Sequence, residues 1–455
     1  MFSGVFGDRR LDARCEQVYR AMLEEKQAVL HRCFPNRAAM TGAYRLMNNQ
    51  QVSYEQVRER LTSQWSGADK RILCIQDTSE ANFTSHSGAL CLKDPDIGPL
   101  TKSTHAGFFM HPSLCLDLAD GFPLGFSDLL LFNRRWGQAD KHQRHYQQLA
   151  LEQKESYRWL ECAQRSKLKL VEAAYVLFVS DRESDIYELF HRLPDEKSDV
   201  LVRLSQDRLL YQGSDQTRKV SQLLEQCPAQ TILLPVRKSG QRQKRLAELQ
   251  LKYTCLQLAS PKNSLGAKTS AAVWVIEAVE NPVSAPKGEE AICWRLVTSL
   301  PVETLEQAVQ GLYYYSLRWR VEELFAMVKT QGMKLEESRL ESGKALKVMA
   351  ALSLQAALQI MQLKEGRERE DKQASLAFTQ QEQIFLMLLC KKLEGKTQKQ
   401  RNPYAEGTMA YAAWVIARLG GWKGLNSQGK AGIKTMAWGV EAFHQQYQGY
   451  LLAKL

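Results

Sequence analysis

Apolar residues recur at roughly helical spacing from residue 1 to about residue 60. "LDARCEQVYRAMLEEKQAVLHRCF" carries one such pattern and "GAYRLMNN" closes a second. The pattern then changes period. Ile72 to Ile75 form a continuous apolar run that stops just short of Asp77, and Ala173 to Val179 form another that stops short of Asp181. Both read as buried strands ending on an acid. A helix is expected after the second, at "SDIYELFHRL", with Ser184 as its N-cap. Between about residues 200 and 300, "TILLPVRK", "LQLKYTCLQL" and "AAVWVIEAV" are strand-like. Turn-rich basic stretches such as "RKSGQRQKR", residues 237–245, separate them. From Glu322 onward the chain is expected to be helical, with "KALKVMAALSLQAALQIMQL" a strongly apolar helix. The charged segment "KEGREREDKQ" reads as a hinge, followed by a helical tail broken by the basic loop "KKLEGKTQKQR". No internal repeat is visible. Apolar strands beside helical segments predict an α/β core. Carboxylates at strand ends in such cores often line a functional crevice.

Composition narrows the class. The chain has 455 residues, 44% apolar and 24% charged, which reads as globular with room for two or three full-sized cores. No apolar run approaches the roughly 20 residues that span a bilayer. The opening "MFSGVFGDRR" shows no export signal, so a cytoplasmic location is expected. Ten cysteines are scattered singly, without a C-x-x-C pair, which suits reduced thiols rather than a zinc ribbon or a disulfide framework. A net charge of +11 and a pI near 9.1 fit a polyanionic partner. Arginines are dense at the N-terminus, at Arg9, Arg10, Arg14, Arg20, Arg32, Arg37 and Arg45.

The stretch "YYYSLRWRVEELFAMVK", Tyr313 to Lys329, has helical rhythm and unusual chemistry. On one continuous helix, with Tyr315 at zero, Arg318 falls near 300°, Glu322 near 340° and Lys329 near 320° at about 100° per residue. The four share an arc of about 60°. Glu323 lies about 100° from Glu322, off that stripe. Leu317, Val321, Leu324 and Val328 take a separate, inward face. An i,i+4 pair of Arg318 and Glu322 explains two members of the stripe but neither Tyr315 nor Lys329. A carboxylate beside guanidinium and ammonium groups suits a metal ligand set near phosphates. Mg²⁺ takes oxygen donors, and two such ions serve phosphoryl transfer. Asp77, Asp181 and Glu322 would suffice to hold that pair.

The spacing Tyr315-x2-Arg318-x3-Glu322-x6-Lys329 resembles the Y-R-E-K signature of one group of bacterial insertion-sequence DDE transposases. "CIQDTS" and "VSDRESDIY" resemble that family's first- and second-Asp strands, and "CWRLVTSLPVETLEQAV" resembles the segment before the signature helix. "GDRRLDAR" and "GAYRLMNN" resemble DNA-end-binding elements, and "VIARLGG" onward resembles a dimerisation domain. The resemblance implies an RNase H-like catalytic core, residues 56–365, with a β-rich insertion at about 204–300. A helical DNA-end-binding domain, residues 1–55, and a helical dimerisation domain, residues 366–455, would flank it. It implies Asp77, Asp181 and Glu322 as catalytic metal ligands for two Mg²⁺ ions, with Mn²⁺ substituting. Tyr315, Arg318, Lys329 and Arg203 would contact the DNA backbone, and Trp294 would assist base flipping. Arg14 and Arg45 would contact DNA ends. The implied partners are double-stranded DNA, both transposon ends and target, and a second copy of the chain. "LSQDR" after Arg203 departs from the more basic family pattern.

His105 and His111 lack the Cys or His neighbours of a metal site and are not expected to ligate one. Two other functions remain open at this stage. One is an RNase H-like nuclease that cuts without joining. The other is a non-catalytic DNA-binding relative that acts as an inhibitor.

Overall fold

The computed structural model describes residues 1–34, 36–63, 69–86, 94–137, 149–211, 218–236, 243–260 and 270–453. Residues 237–242 of the basic stretch at 237–245 lie outside them. The chain divides into two compact units. One comprises Gly67–Asp77 and Ala139–Trp319; the other comprises Met1–Ser66, Thr78–Gln138 and Arg320–Leu455.

The first unit is built on a mixed sheet. Strand Arg71–Gln76 pairs in parallel with Tyr175–Ser180, which pairs in parallel with Ser198–Arg203. The first two are the apolar runs of the sequence, and the central residues of all three are buried. The sheet continues antiparallel through Cys293–Thr298, Ser270–Glu280 and Arg245–Ala259. Gln230–Val236 and the short strand Leu209–Leu210 both pair with Arg245–Ala259. The strand-like segments between residues 200 and 300 are therefore strands.

Helix Leu305–Ser316 starts at a capping box, in which Thr304 and Gln307 exchange side-chain and backbone hydrogen bonds. It buries Ala308, Gly311, Leu312 and Tyr315, one face at helical spacing. Gly311 permits its close approach to the sheet: a Cβ there would sit 2.6 Å from Ile276 Cδ1. That seating brings Tyr315 to the edge of the parallel strands.

Helix Gly343–Glu365 forms the centre of the second unit. This corrects the expectation that no apolar run is long enough: by length and composition it could cross a membrane, yet its apolar window is wholly buried. Tyr54–Thr62, the strand Pro123–Phe132 and helices Met409–Leu419 and Ile433–Leu452 surround it. Ser342 caps its N-terminus by accepting from Ala345 N–H. The charged segment after it, expected as a hinge, is tied down by ion pairs. Lys372 Nζ lies 2.7 Å from Asp117 and 3.0 Å from Asp120, and Arg369 also holds Asp120.

Two local expectations are corrected. Ser184 does not cap a helix, because it is spent in the turn Arg182–Ser184, where its hydroxyl donates to Asp181 O at 2.7 Å. The helix begins later, at Tyr187, without a side-chain cap. Nor is the signature stretch one helix. Leu305–Ser316 ends in a tight turn, with Arg318 N–H donating to Tyr315 O at 3.0 Å. Trp319–Ala326 then starts a new helix, and Met327–Gln331 widens to a π turn. The 60° arc of Tyr315, Arg318, Glu322 and Lys329 assumes one uninterrupted α-helix, so its angles do not carry across these breaks.

Candidate active site

The parallel register places the key acids. Ile75 partners Val179, so two residues further on Asp77 stands level with Asp181. Neighbouring strands lie about 4.8 Å apart, so this register, continued past the strand ends, brings the two acids to adjacent chain positions. Ser180 partners Val202 in the next parallel pair, so Asp181 is level in turn with Arg203. An acid, an acid and an arginine thus form one row across the C-terminal ends of three adjacent strands.

The turn at Leu317–Arg318 supplies partners to this row. Arg318 Nη1 lies 2.8 Å from Asp77 Oδ2, and the arginine is almost fully buried. Its guanidinium carbon lies 5.9 Å from the Tyr315 ring centre and 5.7 Å from that of Trp319. The Tyr315 hydroxyl donates to Asp181 Oδ1 at 3.3 Å. Burial, and then the charge of Asp181, push the Tyr315 pKa up to about 12, so the phenol stays a neutral donor.

Trp294 and Arg203 stand beside them. The Trp294 ring meets Tyr315 edge-on, with centroids 5.7 Å apart and planes at 68°. Arg203 is partly exposed and donates from Nη2 to Cys293 O at 3.1 Å. A further network was not singled out in the sequence. Asp185 is buried and accepts from Ser205 N and Oγ, each at 2.9 Å, and from Arg208 Nε at 2.5 Å. It ties the turn after Asp181 to the loop after Arg203. The only signal for it was the basic residue in "LSQDR", the segment that departs from the family pattern.

The remaining sequence candidates lie in the other unit. Glu322 is partly exposed in the first turn of Trp319–Ala326. Lys329 sits in the π turn, 3.7 Å from Glu336. Arg14 rests against helix Arg37–Met47, where a Cβ at Gly42 would lie 2.8 Å from its guanidinium carbon. Arg45, three residues beyond Gly42, is exposed. His111 is buried, with its Nδ1 2.8 Å from Thr78 Oγ1, and His105 Nδ1 lies 3.0 Å from Asn82 Nδ2. Both histidines have local hydrogen-bonding roles.

Two carboxylates on adjacent strand ends are the donor chemistry that a hard divalent cation takes. Among the described residues no group of three or more His, Cys, Asp or Glu side chains is drawn together as a metal cluster. Asp77 accepts from Arg318 and Asp181 from Tyr315.

Residues 167–358 match the family model described as the transposase DDE domain. The match covers Asp181, Arg203, Trp294, Tyr315, Arg318, Glu322 and Lys329, and stops short of Asp77. The match spans less than half of the chain and supports a relationship of this segment to the DDE transposases. The mixed α/β sheet with flanking helices fits such a domain.

Proposed function

We propose that this chain is a cut-and-paste DNA transposase of the Y-R-E-K group, with an RNase H-like core. The observation that carries the reading is the row of Asp77, Asp181 and Arg203 at three strand ends, with Arg318 and Tyr315 from the signature segment on its two acids. The family match, which includes that segment but not Asp77, supports it. Asp77 and Asp181, with Glu322 added by the signature spacing, are the carboxylates for two Mg²⁺ ions, and Mn²⁺ substitutes. Asp77, Asp181 and Glu322 would hold these ions, which would supply activation of the attacking oxygen and charge neutralisation at the leaving oxygen.

The chain's own residues do the holding. Arg318 has the fork geometry to grip a phosphate in two places, and Arg203 and Lys329 add point contacts. Tyr315, kept neutral, donates a hydrogen bond without adding charge. Arg14 and Arg45 bind the inverted repeats at the transposon ends, within a helical domain of residues 1–55. Residues 366–455 pair two copies, each bound to one end, and the complex acts on DNA in the cytoplasm.

The reaction is a series of phosphoryl transfers at one site. Water attacks to free a 3′-OH, which attacks the opposite strand and closes a hairpin. Water reopens the hairpin, and the 3′-OH then joins target DNA. Trp294 stacks on the base that the hairpin extrudes, a contact worth about 1–3 kcal/mol.

The test is an incubation of labelled end-library DNA with a supercoiled target in Mn²⁺. Joined product is expected. Cuts without joining would mean a nuclease, and binding without cuts would mean a DNA-binding relative.

A further inference from the structure

Arg318 faces two partners of opposite kind. In this state its Nη1 is committed to Asp77 Oδ2 at 2.8 Å, with the arginine side chain 8% and the aspartate side chain 20% exposed. The rings of Tyr315 and Trp319 flank the guanidinium and limit where it can turn. A guanidinium nitrogen directed at a carboxylate is not directed at a phosphate. A carboxylate oxygen that accepts from that guanidinium must exchange this partner before it can accept a cation. The neighbouring acid differs: Asp181 accepts from the neutral Tyr315 hydroxyl, at the longer distance of 3.3 Å.

We propose that the Arg318–Asp77 ion pair couples the two ligands of the site, so that capture of a DNA phosphate by Arg318 and capture of a divalent cation by Asp77 reinforce each other. The inference rests on the reading of the site as a metal-dependent DNA phosphoryl transferase. The first ligand to arrive must break a mostly buried pair. The second then finds its own partner already released. Such coupling is reciprocal, and its usual size is about 5- to 150-fold in affinity. Arg318 therefore has a second task besides gripping DNA: in the DNA-free protein it lowers the cation affinity of Asp77. Idle protein stays poorly loaded, and loading follows DNA.

The test uses the full chain and two binding readouts. Mn²⁺ alone is titrated, by calorimetry or by its electron paramagnetic resonance, into wild type, Arg318→Gln and Arg318→Gln/Asp77→Asn, all without DNA. Arg318→Gln should bind Mn²⁺ at least about fivefold more tightly than wild type, and the double variant should lose that gain. The second readout is metal-free binding of a random-sequence duplex in EDTA. Asp77→Asn should bind it more tightly than Asp181→Asn does. Both remove one negative charge, but only the first removes the carboxylate charge that Arg318 Nη1 meets. Equal Mn²⁺ affinity in wild type and Arg318→Gln would overturn the coupling, as would equal duplex affinity in the two Asn variants. If melting curves show Arg318→Gln unfolded, the duplex comparison decides alone. If no variant binds Mn²⁺ through Asp77 even with duplex present, the metal-dependent reading falls together with the coupling. Asp77-dependent Mn²⁺ binding that ignores Arg318 sinks the coupling only.

Discussion

Asp77 and Asp181 end neighbouring parallel strands at the same level, and each accepts a hydrogen bond from one turn of chain, Arg318 on the first and Tyr315 on the second. Two like charges about one strand spacing apart repel, and the buried guanidinium offsets that repulsion. The two residues Ser316 and Leu317 that separate Arg318 from Tyr315, the last residue of the buried face of helix Leu305–Ser316, are thus part of the site's construction.

Trp294 has a packing role and a proposed chemical one, and the two separate experimentally. Its edge-on contact with Tyr315 is of a kind worth about 0.5–1.5 kcal/mol. Trp294→Ala should leave the first nick nearly normal and slow hairpin closure, so that nicked DNA accumulates. Trp294→Phe should restore part of the rate, because a ring face remains. A denaturing-gel time course beside a melting curve reads both. Equal loss in both steps, with a lowered melting temperature, would assign Trp294 to packing alone.

Gly42 offers a test of Arg14 that avoids touching the arginine. Alanine is the better helix former by about 0.8–1 kcal/mol, so Gly42→Ala should hold or raise the melting temperature. The new Cβ would lie 2.8 Å from the Arg14 guanidinium carbon, which must move. Duplex binding should weaken, and the slope of log affinity against log salt should shrink by about one phosphate contact. An unchanged affinity and slope would remove Arg14 from the DNA interface.

Glu365 should make the second unit acid-sensitive. Burial works to raise its pKa, but Arg320, with both terminal nitrogens 2.7 Å from the carboxylate, and Lys364 outweigh it and hold the value low. A lowered folded pKa stabilises the fold above the ordinary carboxylate value of about 4.3, and the contribution fades as pH falls through the folded value. Glu365→Gln should cost about 2 kcal/mol at neutral pH in urea unfolding, and the difference from wild type should shrink as the pH is lowered below about 4. A difference independent of pH would contradict this.

Much of the first unit was legible because burial on both faces leaves parallel strands as uninterrupted apolar runs. Ile72–Ile75 and Val176–Val179 announced both strands, and Asp77 and Asp181 stood at their visible ends. Their level placement was not legible, since register comes from pairing rather than from local pattern. The breaks in the signature stretch were also hidden. Neither Leu317–Arg318 nor Met327–Gln331 contains a proline or glycine, and the tight turn and the π turn arise where tertiary packing overrides local periodicity. The Asp185 clamp escaped notice because Ser205 and Arg208 come from a loop some twenty residues away. Ser184 looked like a cap only because residue type was read without the intervening turn.

The central claim is that Asp77 and Asp181 are the working carboxylates of a DNA-cleaving site. The most direct measurement is cleavage of end-library DNA in Mn²⁺ by wild type, Asp77→Asn, Asp181→Asn and Glu322→Gln, with duplex binding measured on the same preparations. Removing one carboxylate charge should abolish detectable cleavage in each variant, while binding, which rests on phosphate and base contacts elsewhere, persists. Cleavage at the wild-type rate by Asp77→Asn or Asp181→Asn would contradict the claim.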